Sequence, residues 1–177
     1  PLPLLPLQIL RMHLVTDGLP ALALGVEQPE TNVMKRPPYT ATESVFGRGM
    51  VAFIIGIGIV MSILAIGAGF GFWQTGQAQW QTILFTTLVF SQLAVAVGAR
   101  SEINSVFKVG LFSNRSMVLA VALTIVLQLA VIYLPFAQSI FGTTALTASE
   151  LALTAGLALL TLLAVELWKL VVRRRSV

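Results

Sequence analysis

The chain has 177 residues, of which 56% are hydrophobic and 10% charged, and its mean hydropathy is +0.90. Soluble domains carry about 25% charged residues, so this sequence lacks the charge to cover a water-facing surface and reads as an integral membrane protein. It has no cysteine, which excludes disulfides, thiolate metal sites and cysteine nucleophiles.

Five apolar segments follow one another: Leu7–Val26, Met50–Trp73, Trp80–Ala99, Met117–Leu134 and Leu151–Val172. About 20 helical residues cross a hydrocarbon core of about 30 Å. Lipid cannot satisfy backbone polar groups, so each segment is predicted to be helical. The first carries "HLVTDGLPALALG", where Asp17, Gly18 and Pro20 interrupt an apolar helix. The second contains "GAGFG"; inside an apolar helix this is not a phosphate loop, and the Gly67/Gly71 pair is predicted to admit a neighbouring helix. The third holds Gln92 and the fourth Gln128, the latter read as interhelical glue. In the fifth, Glu166 and Lys169 are spaced for a local ion pair. The sequence starts at Pro1 with no basic-then-apolar leader pattern, and it reads as a piece of a longer protein.

The connectors set the orientation. Lys35, Arg36 and Arg48 lie in the first, Arg100, Lys108 and Arg115 in the third, and Arg173, Arg174 and Arg175 in the tail. The connectors "QTGQAQ" and "PFAQSIFGTTALTAS" hold neither lysine nor arginine. With five spans all the basic connectors share one face. The positive-inside rule makes it cytoplasmic, with the start of the chain outside and the carboxy terminus inside. The net charge of +4 is thus a topology signal that faces the lipid bilayer, not a nucleic-acid surface.

An aspartate in the middle of a span costs about 2.5–3.5 kcal/mol on insertion scales, and such residues are functional by default. Thr16 adjoins Asp17, and His13 precedes the two by three and four residues, which predicts one shared helical face. Pro20 has no N–H to offer the Thr16 carbonyl, and Gly18 lets the backbone unwind. Carboxylate, hydroxyl and carbonyl oxygens are the ligands that hard cations take, and broken helices at the midplane are how transporters build ion sites. Gln92 supplies a further candidate amide oxygen. His13 is either a ligand or a satisfied histidine, and Arg11 is predicted to snorkel to the outer boundary. No zinc-protease motif or serine–histidine–acid arrangement is present.

The stretch "PLQILRMHLVTDGLPALALGVEQPETNVMKRPP", Pro6 to Pro38, resembles the sixth membrane helix and following loop of P-type cation-transporting ATPases, the calcium pumps above all. The third segment, ending in "ARSE", resembles the eighth helix, and "ELWKLVVRR" the end of the tenth. The resemblance implies an all-α, five-helix membrane bundle matching helices six to ten, its first helix interrupted near Asp17–Gly18. It implies a cation site with Thr16 and Asp17 as ligands. Gln92 stands where those pumps have a glutamate, His13 where they have an asparagine, and Arg11 replaces a tryptophan. Calcium is the implied cargo, with manganese and magnesium as alternatives, in the cell (inner) membrane. The fourth and fifth helices of the remaining pump would complete the site. The loop 27–39 would touch the phosphorylation domain. ATP and its magnesium belong to the complete protein, an ATP-hydrolysing cation translocase; the DKTGT motif and the phosphorylation, nucleotide-binding and actuator domains are not in this sequence, so the chain by itself is not expected to hydrolyse ATP. The competing expectation is a free-standing, non-catalytic membrane subunit or scaffold.

Overall fold

The computed structural model describes residues 2–27, 29, 49–101 and 104–175, with side-chain burial given to residue 172. Seven helices make up the described chain, and it contains no strand among the described residues. Extended Leu5 (φ −86°, ψ 152°) leads into Pro6, which opens helix α1, residues 6–24. Proline is favoured at that position because its missing N–H would be unpaired there anyway. The later helices are α2 (Met50–Gln74), α3 (Trp80–Gly98), α4 (Val106–Val109), α5 (Arg115–Tyr133), α6 (Pro135–Phe141) and α7 (Ala148–Arg175). Helix α5 starts on Asn114, whose Oδ1 accepts from the Met117 N–H at 2.9 Å, and stops before Pro135, which disfavours helical angles in the residue ahead of it. The long helices match the apolar segments to within a few residues, whereas the short helices α4 and α6 lie within the connectors, where hydropathy gives no sign of them.

Helix α1 departs from expectation. It does not unwind at Asp17–Gly18: Gly18 keeps right-handed helical angles (φ −66°, ψ −47°). The helix instead widens into a π turn over Met12–Asp17 and resumes α geometry over Gly18–Leu24. Pro20 cannot donate to the Thr16 carbonyl, and a π turn absorbs such a defect by shifting the bonding register without breaking the rod.

Four helices are long and apolar enough to cross a membrane: α2, α3, α5 and residues Ala148–Val172 of α7. Helix α3 is the centre of the bundle, packing against α2 and α7 on one flank and against α1 and α5 on the other. Its Ile83, Phe85 and Val89 are wholly buried, as are Thr82, Thr86, Thr87 and Ser91. The isoleucines 54, 55, 59, 63 and 66 of α2 face outward, as lipid-facing side chains do.

Close helix approach is decided by glycines the GxxxG pattern did not indicate. A Cβ on Gly67 or Gly71 would meet nothing within 4 Å, so that pair is not a packing face within this bundle. The glycine between them, Gly69, is the one in contact: a Cβ there would lie 2.9 Å from Leu84 Cβ on α3. At the other end of α3, a Cβ on Gly98 would lie 2.7 Å from Val165 Cγ1 on α7. Van der Waals packing of this kind is the main force between helices in lipid.

Candidate functional site

Helices α1 and α3 run side by side in the same direction. At one end Gln81 Nε2 of α3 donates to the Leu2 carbonyl at 2.6 Å. At the other end Arg100, just past α3, pairs with Glu27, just past α1. Between these ties Met12 packs with Phe85 and Val89 in one apolar cluster. One turn beyond Met12 lies Thr16 and one turn beyond Val89 lies Gln92, so the two sit at matching levels. Thr16 is 1% exposed. Thr16 Oγ1 and Gln92 Oε1 are both buried without a hydrogen-bond partner. A buried acceptor left unpaired costs about 1–3 kcal/mol, and hydroxyl and amide oxygens are of the kind that hard cations take.

His13 and Asp17 point elsewhere. Their side chains are 70% and 45% exposed, and His13 Nδ1 lies 3.2 Å from Asp17 Oδ2. The face predicted to carry His13, Thr16 and Asp17 together is therefore split. His13 and Asp17 share the open flank of α1 while Thr16 turns inward. The physical reason is the π turn: more residues per turn bring i and i+4 into line and rotate i+3 away. No group of three histidine or acidic side chains stands together among the described residues.

Arg11 was expected to snorkel and does not. It is 7% exposed, Nη1 donates to Gln128 Oε1 on α5, and its Cζ lies 5.6 Å from the centroid of the Phe85 ring. Gln128 Nε2 in turn donates to Thr86 Oγ1 at 3.0 Å, so this glutamine does join helices, as expected. Sequence reading had a signal for Arg11: an ionisable residue within a span faces the bundle interior as a rule.

The basic end of the bundle holds a second polar assembly. Arg100 donates to both Glu27 oxygens at 2.8 and 2.9 Å, to the Gly110 carbonyl at 2.9 Å and to Ser113 Oγ at 2.6 Å. Asn114 Nδ2 donates to the Ala23 carbonyl and to Glu27 Oε2. The hydrogen bonds from Arg100 hold the Glu27 carboxyl below its ordinary value; desolvation opposes this, and Asn114 adds to the lowering. Glu27 opens the predicted 27–39 loop, which apart from Glu27 and Pro29 lies outside the described residues. Beside it is a cavity of about 590 Å³ lined in part by Glu27, Arg100, Lys108, Asn114 and Arg115. The expected Glu166–Lys169 pair is present at 3.0 Å. It also ties α7 to the α3–α5 connector: Glu166 accepts from the Val106 N–H, and Lys169 donates to the Asn104 carbonyl.

Residues 1–171 match the family model described as "Cation transporting ATPase, C-terminus". The chain belongs to this family. It is the C-terminal membrane region of a P-type cation-transporting ATPase and part of a multi-pass membrane protein. Among similar proteins, the "Calcium-transporting ATPase" of Bacillus subtilis (strain 168) is 42% identical over 163 residues, covering 89% of this chain and 18% of the relative. The "Calcium-transporting ATPase type 2C member 2" of Rattus norvegicus is 35% identical, covering 96% of this chain and 18% of the relative. The human "Calcium-transporting ATPase type 2C member 1" is 34% identical, covering 99% and 19%. The chain thus spans about a fifth of the length of these relatives.

Proposed function

We propose that the chain is helices six to ten of an ATP-driven cation pump and contributes ligands to its transport site. In this reading α1 is a fifth span. The observation that carries it is the pair of buried, unpartnered oxygens, Thr16 Oγ1 and Gln92 Oε1, on the adjacent helices α1 and α3, each one turn beyond the apolar cluster of Met12, Phe85 and Val89. Asp17 adds the negative charge from the open flank beside them, with His13 as its hydrogen-bonded neighbour. Helices four and five of the remaining pump cover that flank and complete the coordination. Calcium is the cargo that the relatives' names favour; manganese and magnesium take similar oxygen ligands.

The complete protein hydrolyses ATP with its magnesium in cytoplasmic domains. The loop from Glu27 to Tyr39 passes the resulting motion to α1, helped by the Arg100 tie at its root. The basic connectors lie on the cytoplasmic side of the cell membrane and the start of α1 outside. The test is calcium-dependent phosphorylation of the complete pump. Asp17→Asn should abolish it or weaken the calcium dependence at least tenfold, and Gln92→Ala should weaken it less. Normal calcium dependence in Asp17→Asn would falsify the assignment.

A further inference from the structure

Arg11 holds a full positive charge inside the bundle, and among the described residues nothing beside it carries a negative one. Nη1 is bonded to the neutral amide of Gln128, the guanidinium lies over the Phe85 ring, and Nη2 is buried with no acceptor. The acidic groups of the described chain are engaged elsewhere: Asp17 with His13, Glu27 with Arg100, Glu150 with Gln79 and Thr147, and Glu166 with Lys169. Amide dipoles and a ring face hold a cation in place, but they do not cancel its field as a carboxylate would. Thr16 lies only five residues further along the same helix, at most about 8 Å of rise. Both side chains are buried, so the charge is screened less between them than it would be in water.

We propose that Arg11 sets the affinity of the transport site: its fixed charge weakens the binding of a divalent cation at Thr16, Asp17 and Gln92. This rests on the ion-site reading above. A pump that releases its cargo against a gradient needs a site that is not too tight. Arg11 supplies a constant repulsion on the side of the site towards the start of the chain, which the orientation above makes the exit side. Because Arg11 acts through its field and does not touch the ion, it is a positioning residue and not a ligand.

The test is the calcium dependence of phosphorylation in the complete pump. Arg11→Gln removes the charge. Gln128→Glu neutralises it while keeping an acceptor beside the guanidinium. Both should lower the half-saturating calcium concentration about tenfold, and Arg11→Lys should leave it within about twofold. A packing role would instead impair Arg11→Lys along with Arg11→Gln and would give no gain in Gln128→Glu. Unchanged or weaker calcium affinity in Gln128→Glu overturns the proposal even if Arg11→Gln fails to fold. Asp17→Asn separates the two ideas. Lost calcium dependence there with no effect of the neutralising variants defeats only the role of Arg11. Retained dependence defeats the ion site as well.

Discussion

Arg100 grips Glu27 with two nitrogens, Nε and Nη2, at 2.8 and 2.9 Å, and so fastens the end of α1 to the end of α3. The Arg100 side chain is 1% exposed and that of Glu27 14%. The pair is bidentate, which is the strong geometry for guanidinium and carboxylate. It is also supported by the Gly110 carbonyl and Ser113 on one partner and by Asn114 on the other.

Removing one member leaves the other charge buried and unpaired. Glu27→Gln should therefore destabilise the protein by about 3 kcal/mol. Thermal unfolding in detergent, with Arg100→Gln alongside, measures this. The double variant should cost much less than the sum of the two singles, because each single change already breaks the same interaction.

The pair also sets a pH dependence. The folded-state value of Glu27 lies below its ordinary 4.5, so between the two values the unfolded chain binds more protons and stability rises with pH. The contribution is complete above about 4.5 and is lost as pH falls through the folded value. Unfolding temperature against pH should fall on the acid side, and Glu27→Gln should flatten that part of the curve.

Gly98→Ala should destabilise by about 1–3 kcal/mol, because a Cβ there would press on Val165 Cγ1 at 2.7 Å. Gly67→Ala and Gly71→Ala should leave the unfolding temperature of this chain unchanged within about a degree or raise it slightly, since nothing stands within 4 Å and alanine favours helix. The comparison of the three variants checks the packing directly.

Thr16→Val replaces a buried hydroxyl that has no partner by a methyl of the same shape. Losing an unpaired polar group removes a desolvation cost, so stability without divalent cation should hold or rise by up to about 1 kcal/mol. The calcium dependence of phosphorylation should weaken severalfold in the complete pump. Thr124→Val is the control: its hydroxyl is buried but donates to the Ala120 carbonyl, and it should leave calcium dependence as it is.

Length and hydropathy alone determined that the chain is helical and membrane-spanning, where the long helices run and that Asp17 stands in the middle of one. Those properties depend on the local cost of exposing backbone or charge to lipid, which each segment carries in its own composition. Proline chemistry at Pro20 also announced the defect in α1, although the outcome was a π turn and not a break. Tertiary structure decided which faces meet. Lipid is as apolar as leucine, so hydropathy does not distinguish a lipid-facing side of a helix from a packed one. For that reason only the fold turns Thr16 inward and leaves Asp17 on an open flank. For the same reason Gly69 packs where Gly67 and Gly71 do not, and Arg11 lies inside the bundle beside Gln128 instead of reaching for the membrane surface.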